Sequence, residues 1–180
     1  GLGVCDDTLK IVFSLIENST TPLVLDADAL NCVAKQPEIL LSKKAPIIIT
    51  PHPGEMSRLT GLATPLVNAE RERVALDFAQ KYGVVTVLKG AGTVIASPNG
   101  KVLVNPTGNS GMATGGSGDV LAGMTASILA QGASSFSSAA AAVYLHGLAG
   151  DIAAEKYGKI SMLPTDLINC IPLAYKRCGF

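Results

Sequence analysis

Apolar positions along the 180-residue chain fall into short unbroken runs separated by longer amphipathic stretches. The runs "PLVLDAD" (22–28), "APIIIT" (45–50) and "GVVTVLKG" (83–90) are continuous rather than alternating, the pattern of strands covered on both faces. "GTVIAS" (92–97) and "KVLVN" (101–105) flank "PNG", so Asn99-Gly100 predicts a hairpin turn. Helical patterning covers 6–17, 28–36 and 66–82, the last opening near Pro65 and closing before Gly83. The final third reads as almost wholly helical, over 117–131, 137–157 and 164–178, with Pro164 suited to a first-turn position. Strand–helix alternation followed by helices predicts an α/β sandwich whose largely parallel sheet is flanked by helices. No linker, repeat or low-complexity tract interrupts it, so residues 1–180 read as a single domain.

Composition narrows the function classes. With 48% hydrophobic and 16% charged residues, the chain can bury a core and is not a disordered segment. Formal net charge is +0 and the basic clusters stop at Lys43-Lys44 and Lys176-Arg177, so a nucleic-acid partner is not expected. No apolar run approaches the ~20 residues that span a bilayer, and "GLGVCDDTLK" shows no signal-peptide pattern. A membrane partner is not expected either. Cys5, Cys32, Cys170 and Cys178 form no Cys-x-x-Cys pair and have no His at zinc spacing. They read as buried or incidental thiols of a reducing compartment, which points to a cytoplasmic location.

The stretch "GGSGDVLAGMTASIL" (115–129) carries the most chemistry. Gly115, Gly116, Ser117 and Gly118 let a ligand approach the main chain, and the helix that follows presents unpaired N–H groups to an anion. Asp119 then has two readings. It is an acid stabilising a helix start, worth ~1 kcal/mol, or a base accepting a proton from a hydroxyl while the amides hold a phosphoryl group. The run is neither a P-loop nor a dinucleotide-binding Gly-x-Gly-x-x-Gly motif. Lys89 stands at a strand end before Gly90-Ala91-Gly92-Thr93, either a solvated lysine at a plain turn or a group meeting nucleotide phosphates. "TPHPGEMSRLTG" (50–61) lies at the end of a buried strand, where open α/β sheets bind ligands. There His52 is held stiffly between two prolines and Glu55 begins the next helix. Asp26 and Asp28, in "VLDADALN" (24–31), sit at another strand end, one as a helix N-cap and the other near a metal's water shell.

Together, "LDADALN", "TPHPGEMSRLTG", "VLKGAGTVIASPNG", "NPTGNSGMATGGSGDVLAGMTASILAQG" and "AAVYLHGLAGDIA" resemble, in this order, the ADP/ATP-dependent NAD(P)H-hydrate dehydratases of the ribokinase-like superfamily. The resemblance runs through nearly all of the chain. It implies a ribokinase-like three-layer sandwich, and an enzyme that repairs hydrated NADH and NADPH (NADHX and NADPHX). In that family ADP or ATP phosphorylates the hydrate's hydroxyl, and phosphate then leaves to restore the nicotinamide. By the same resemblance, Asp119 meets the hydrate and serves as the base, and Gly115, Gly116, Ser117 and Gly118 form the anion hole. Lys89, Gly90, Ala91, Gly92, Thr93 and Gly118 contact the nucleotide, and Gly3 and His52 line the hydrate site. Glu55 is a candidate for the water shell of Mg2+, standing where the superfamily carries an Asn-x-x-Glu motif. Ser117 replaces the more common Thr.

The family's domain also has a substantial N-terminal portion before the "GLG" turn, with the first strands and a further hydrate contact. This chain is expected to be N-terminally short of it. The Ala/Ser-rich helical end and the family's habit imply a homo-oligomer such as a tetramer. Two other readings stay open: a kinase acting on a small alcohol such as a vitamin precursor, and an inactive nucleotide-binding fragment.

Overall fold

A computed structural model describes residues 2–179. Strands β1 (Leu23–Leu25), β2 (Ile47–Ile49), β3 (Val85–Leu88), β4 (Val94–Ala96) and β5 (Val102–Val104) form one sheet in chain order. The first three run parallel, with Val24 opposite Ile48 and Ile49 opposite Thr86. The last two turn back antiparallel, with Val87 opposite Ile95 and Ile95 opposite Leu103. Gly100, at φ +88°, closes the β4–β5 hairpin as its sequence requires.

Helices cover both faces, which makes the three layers. On one side, Ile47, Ile49 and Leu88 pack with residues of α1 (Asp6–Asn18), α2 (Asp28–Val33), α3 (Pro53–Thr60), α4 (Thr64–Ala69) and α5 (Arg71–Tyr82). On the other, Ile48, Val85, Val87 and Ile95 pack with α6 (Ser117–Ala130), α7 (Ser135–Tyr157) and α8 (Pro164–Arg177). Ile47, Ile48 and Ile49 are at most 1% exposed although they alternate between the two cores. A strand wet on one face would have to alternate; one dry on both faces reads as a continuous run.

The predicted 66–82 helix is divided. Glu70, at φ −125° and ψ 43°, ends α4 and precedes α5. No Gly or Pro marks that break. It is held by tertiary contacts: Glu70 pairs with Arg73, and Arg71 turns to donate to the carbonyl of Leu88. The strands are shorter than their apolar runs, because the strand-end residues leave the ladder for the loops described below. Short 3-10 turns at Pro37–Ser42 and Ser110–Met112 had no periodic signal. All four cysteines are free, Cys32 and Cys170 buried and Cys5 and Cys178 exposed. Among the described residues no helix is long and apolar enough to cross a membrane.

Ile48 is fully buried at the centre of the sheet. Ile48→Ala is expected to lower unfolding stability by about 2–5 kcal/mol, read as a shift of the urea midpoint.

Candidate active site

The parallel strands end along one edge of the sheet. The ladder runs on past β2, where Thr50 N–H donates to Leu25 O and Lys89 N–H to Pro51 O. This brings Asp26, the His52–Glu55 turn and Lys89 side by side at the carboxyl ends of β1, β2 and β3. Lys89 Nζ lies 2.6 Å from Asp26 Oδ1 and 3.8 Å from Glu55 Oε2. Glu55 is only 5% exposed, and its Oε2 also accepts the His52 N–H at 2.7 Å. His52 caps α3 through Nδ1, which accepts from Gly54 N–H (3.0 Å) and Glu55 N–H (3.3 Å). Two donors on Nδ1 leave the ring proton of neutral His52 on Nε2, which is on the exposed side of the turn, 3.6 Å from Glu55 Oε1.

Asp26 and Asp28 both serve other ends than the expected N-cap. Ala27, at φ +49° and ψ −118°, is the N-cap of α2 and caps nothing with its side chain. The carboxylate of Asp26 is drawn to Lys89, and Asp28 Oδ2 accepts Gly3 N–H at 2.8 Å. Gly3 is thereby tied to the rim of the crevice. Ala27 is the only non-glycine at positive φ among the described residues, and backbone held this way costs on the order of 1–3 kcal/mol.

The glycine-rich turn meets this edge from the opposite face. Gly116, at φ +96°, is the N-cap of α6 and provides no side-chain cap. Ser117 N–H donates to Thr114 O and Val120 N–H to Gly116 O, so the amides of Gly118 and Asp119 have no partner in the described chain. A Cβ on Gly118 would stand 3.5 Å from Lys89 Nζ and 3.9 Å from Asp26 Oδ2, which places the start of α6 against the ion pair. Gly115 is exposed, with open space where a side chain would go. Asp119 is exposed on the first turn, without hydrogen bond or ion pair among the described residues. Its carboxylate makes no cap. Of its two readings, the capping one loses its hydrogen bond, and the helix dipole alone remains to stabilise the charge.

The Lys89–Thr93 turn closes on itself: Thr93 Oγ1 donates to Gly90 O at 3.0 Å, with Gly90 at φ +151° and Gly92 at φ +63°. Gly90 and Ala91 are exposed at its tip. Among the described residues no group of three or more His, Cys, Asp and Glu is placed to hold a metal ion. The hard oxygen donors nearest the crevice are Asp26 and Glu55, and both already face Lys89.

Residues 1–173 match the family model of the NAD(P)H-hydrate dehydratases. The chain belongs to that family. The bifunctional NAD(P)H-hydrate repair enzyme Nnr of Thermofilum pendens is 44% identical over 176 residues, covering 98% of this chain and 34% of that protein. The ADP-dependent (S)-NAD(P)H-hydrate dehydratase of Neisseria meningitidis is 43% identical over 146 residues, covering 80% and 49%. The solved ADP/ATP-dependent NAD(P)H-hydrate dehydratase of Bacillus subtilis, co-crystallised with ATP and Mg2+, is similar at TM-score 0.81 and 36% identity, over 90% of this chain and 57% of that one. A ribokinase-like superfamily protein of Enterococcus faecalis reaches TM-score 0.83 at 31% identity, over 98% and 61%. The fold is ribokinase-like, and the chain spans about a third of the bifunctional relative and under two thirds of these solved chains.

In this dehydratase-family site, one stretch of α7 holds the glycine-rich loop at both ends, and spacing alone did not single it out. His146 Nε2 lies 2.9 Å from Ser117 O, which can only accept, so the ring proton is on Nε2. Ser117 Oγ, 3.4 Å from the same nitrogen, keeps its own proton for another acceptor. At the other end, Asp151 accepts Gly108 N–H at 2.8 Å and Asn109 Nδ2 at 2.9 Å, while Asn109 Nδ2 also donates to Gly150 O. A Cβ on Gly147 would overlap Thr107 Oγ1, and one on Gly150 would overlap Met112 Sδ. Two glycines inside a long helix, a placement that costs about 1 kcal/mol each, were the sequence signal for this close approach.

Burial pushes the His146 ring from its ordinary 6.5 down to about 4, the Lys89 charge acting in the same direction and the bond to Ser117 against both. The folded chain therefore binds fewer protons here than the unfolded chain between these values. Stability is expected to be full above pH 6.5 and to fall as pH drops towards about 4, by on the order of 3 kcal/mol. Urea unfolding across that range checks it, and His146→Gln should flatten that part of the profile. Gly147→Ala should displace Thr107 and cost about 1–3 kcal/mol, measured in the same way.

Proposed function

We propose that this chain carries the dehydratase chemistry of its family: repair of hydrated NADH or NADPH at the expense of ADP or ATP. The observation that carries this reading is Asp119, an exposed carboxylate without a partner among the described residues, whose own amide and that of Gly118 are free and which follows directly on Gly118, the residue packed against the Lys89–Asp26 pair. In the first step the hydrate's hydroxyl oxygen forms a bond to the terminal phosphorus of the nucleotide. Asp119 takes the hydroxyl proton, and the bond from that phosphorus to the departing AMP or ADP breaks. The amides of Gly118 and Asp119 and the turn of Gly115, Gly116 and Ser117 face the transferring group, where the α6 dipole favours negative charge. In the second step the carbon–oxygen bond of the phosphoester breaks, phosphate leaves, and loss of a ring proton restores the dihydronicotinamide.

The Lys89–Thr93 turn is the nucleotide's contact on the sheet side, and Gly3 and His52 stand on the rim where the hydrate would enter. Mg2+ bound to the nucleotide would neutralise phosphate charge; Asp26 and Glu55 are the carboxylates that would face its waters. Four free thiols support a cytoplasmic location. Ile160, Leu163, Ile168 and Leu173, exposed on and before α8, support self-association into a homo-oligomer.

Turnover is tested by incubating the protein with NADPH hydrate and ADP and following recovery of dihydronicotinamide absorbance with release of phosphate. Asp119→Asn is expected to lower the rate by about 10²–10⁴-fold with ADP affinity nearly unchanged. A phosphorylated product that persists would identify a kinase instead.

A further inference from the structure

The turn after β3 was expected to offer Lys89 to a phosphate, yet the structure gives that ammonium two carboxylates of its own. With Asp26 Oδ1 at 2.6 Å and Glu55 Oε2 at 3.8 Å, the charge of Lys89 is answered within the chain. A different cation touches the same turn, and its charge meets no carboxylate among the described residues. Arg71, the first residue of α5, reaches across to β3 and donates from Nη2 to Leu88 O at 2.8 Å. Its guanidinium fills the space beside Gly90: a Cβ there would stand 2.9 Å from Nη1 and 3.0 Å from Nη2. Nε is buried without a partner, and Nη1 has none among the described residues.

Nor does Arg71 have an ion pair. Its neighbour Glu70 is engaged by Arg73, and Arg73 also reaches Asp77. The position is adverse to a cation in two further ways. The first turn of a helix carries partial positive charge, which a guanidinium opposes. Burial also pushes the group below its ordinary value. A partly buried charge of this kind is normally paired, and the planar fork of arginine matches phosphate oxygens better than a lysine does.

We propose that the Arg71 guanidinium is the cation that the Lys89–Thr93 turn presents to the phosphates of the bound nucleotide. This rests on the nucleotide-dependent reading above. Gly90 is then required at the turn because a side chain would occupy the guanidinium's place. Lys89 is left to fix the carboxylates of Asp26 and Glu55.

The test is calorimetric titration of ADP and of adenosine into the wild-type chain, Arg71→Gln and Arg71→Lys. A phosphate contact predicts that Arg71→Gln weakens ADP by about 10- to 100-fold, leaves adenosine essentially unchanged, and is partly rescued by Arg71→Lys. Equal losses for ADP and adenosine would show that Arg71 only props the turn and would overturn the proposal, as would no loss for either. Should Arg71→Gln fail to fold, the wild-type protein still decides. ADP, and not adenosine, should slow phenylglyoxal modification of Arg71 seen by peptide mass spectrometry, with Arg73 as internal control; no protection overturns the proposal. Absence of ADP binding to the wild-type chain would remove the nucleotide reading itself, and this proposal with it. Wild-type binding with an indifferent Arg71→Gln removes Arg71 alone.

Discussion

The ammonium group of Lys89, lying 2.6 Å from Asp26 and 3.8 Å from Glu55, links by charge the segments that follow β1, β2 and β3, beyond the backbone bonds of Thr50 to Leu25 and of Lys89 to Pro51. These side chains are 18%, 13% and 6% exposed, so the attraction acts in a partly dry environment where charge interactions are stronger than at a wet surface. Removing Lys89 would leave two partly desolvated carboxylates without that cation, a larger cost than the pairs' own net worth. The remaining parts of the site are positioned against this cluster. Gly118 lies against Lys89 and Asp26, Glu55 completes the cap of α3, and burial together with the same charge keeps His146 neutral.

Opposite that cluster the constraint is steric. Gly147 and Gly150 remove side chains from α7 where Thr107 and Met112 press in, and Asp151 and His146 then fix the two ends of the loop by hydrogen bonds. The glycine-rich turn has few bulky side chains, and α7 adds contacts at both ends to its few internal bonds. Its conformation is set by a helix that need not touch a ligand. This division lets the turn expose amides that a self-supporting loop would satisfy internally.

How much of this was legible in the sequence follows from which forces are local. The strands were readable because both faces are dry and their residues are apolar without interruption. The helix that starts at Ser117 behind the glycines was readable in the sequence, while Asp119 kept two readings, because an acid at a helix start also serves as a stabilising charge. The break at Glu70 was not readable, since Ala69-Glu70-Arg71 favours helix and what accompanies the break is the Glu70–Arg73 pair and the bond of Arg71 to Leu88 O. The pairing of Lys89 with Asp26 links residues 63 positions apart, and no periodicity encodes it. For the same reason one of Asp26 and Asp28 read as a helix N-cap, although long-range partners take both carboxylates.

The sheet is built in chain order, each strand beside the one before it. Such a sheet can grow by successive local additions, without waiting for a distant segment to intercalate. Its second face is different, because α6, α7 and α8 all follow the last strand in the chain. The loop that leads into the glycine-rich turn makes its bonds to Asp151 and His146 only when α7 has docked. The candidate site thus draws on helices that follow every described strand in the chain, and a sheet without them would lack it.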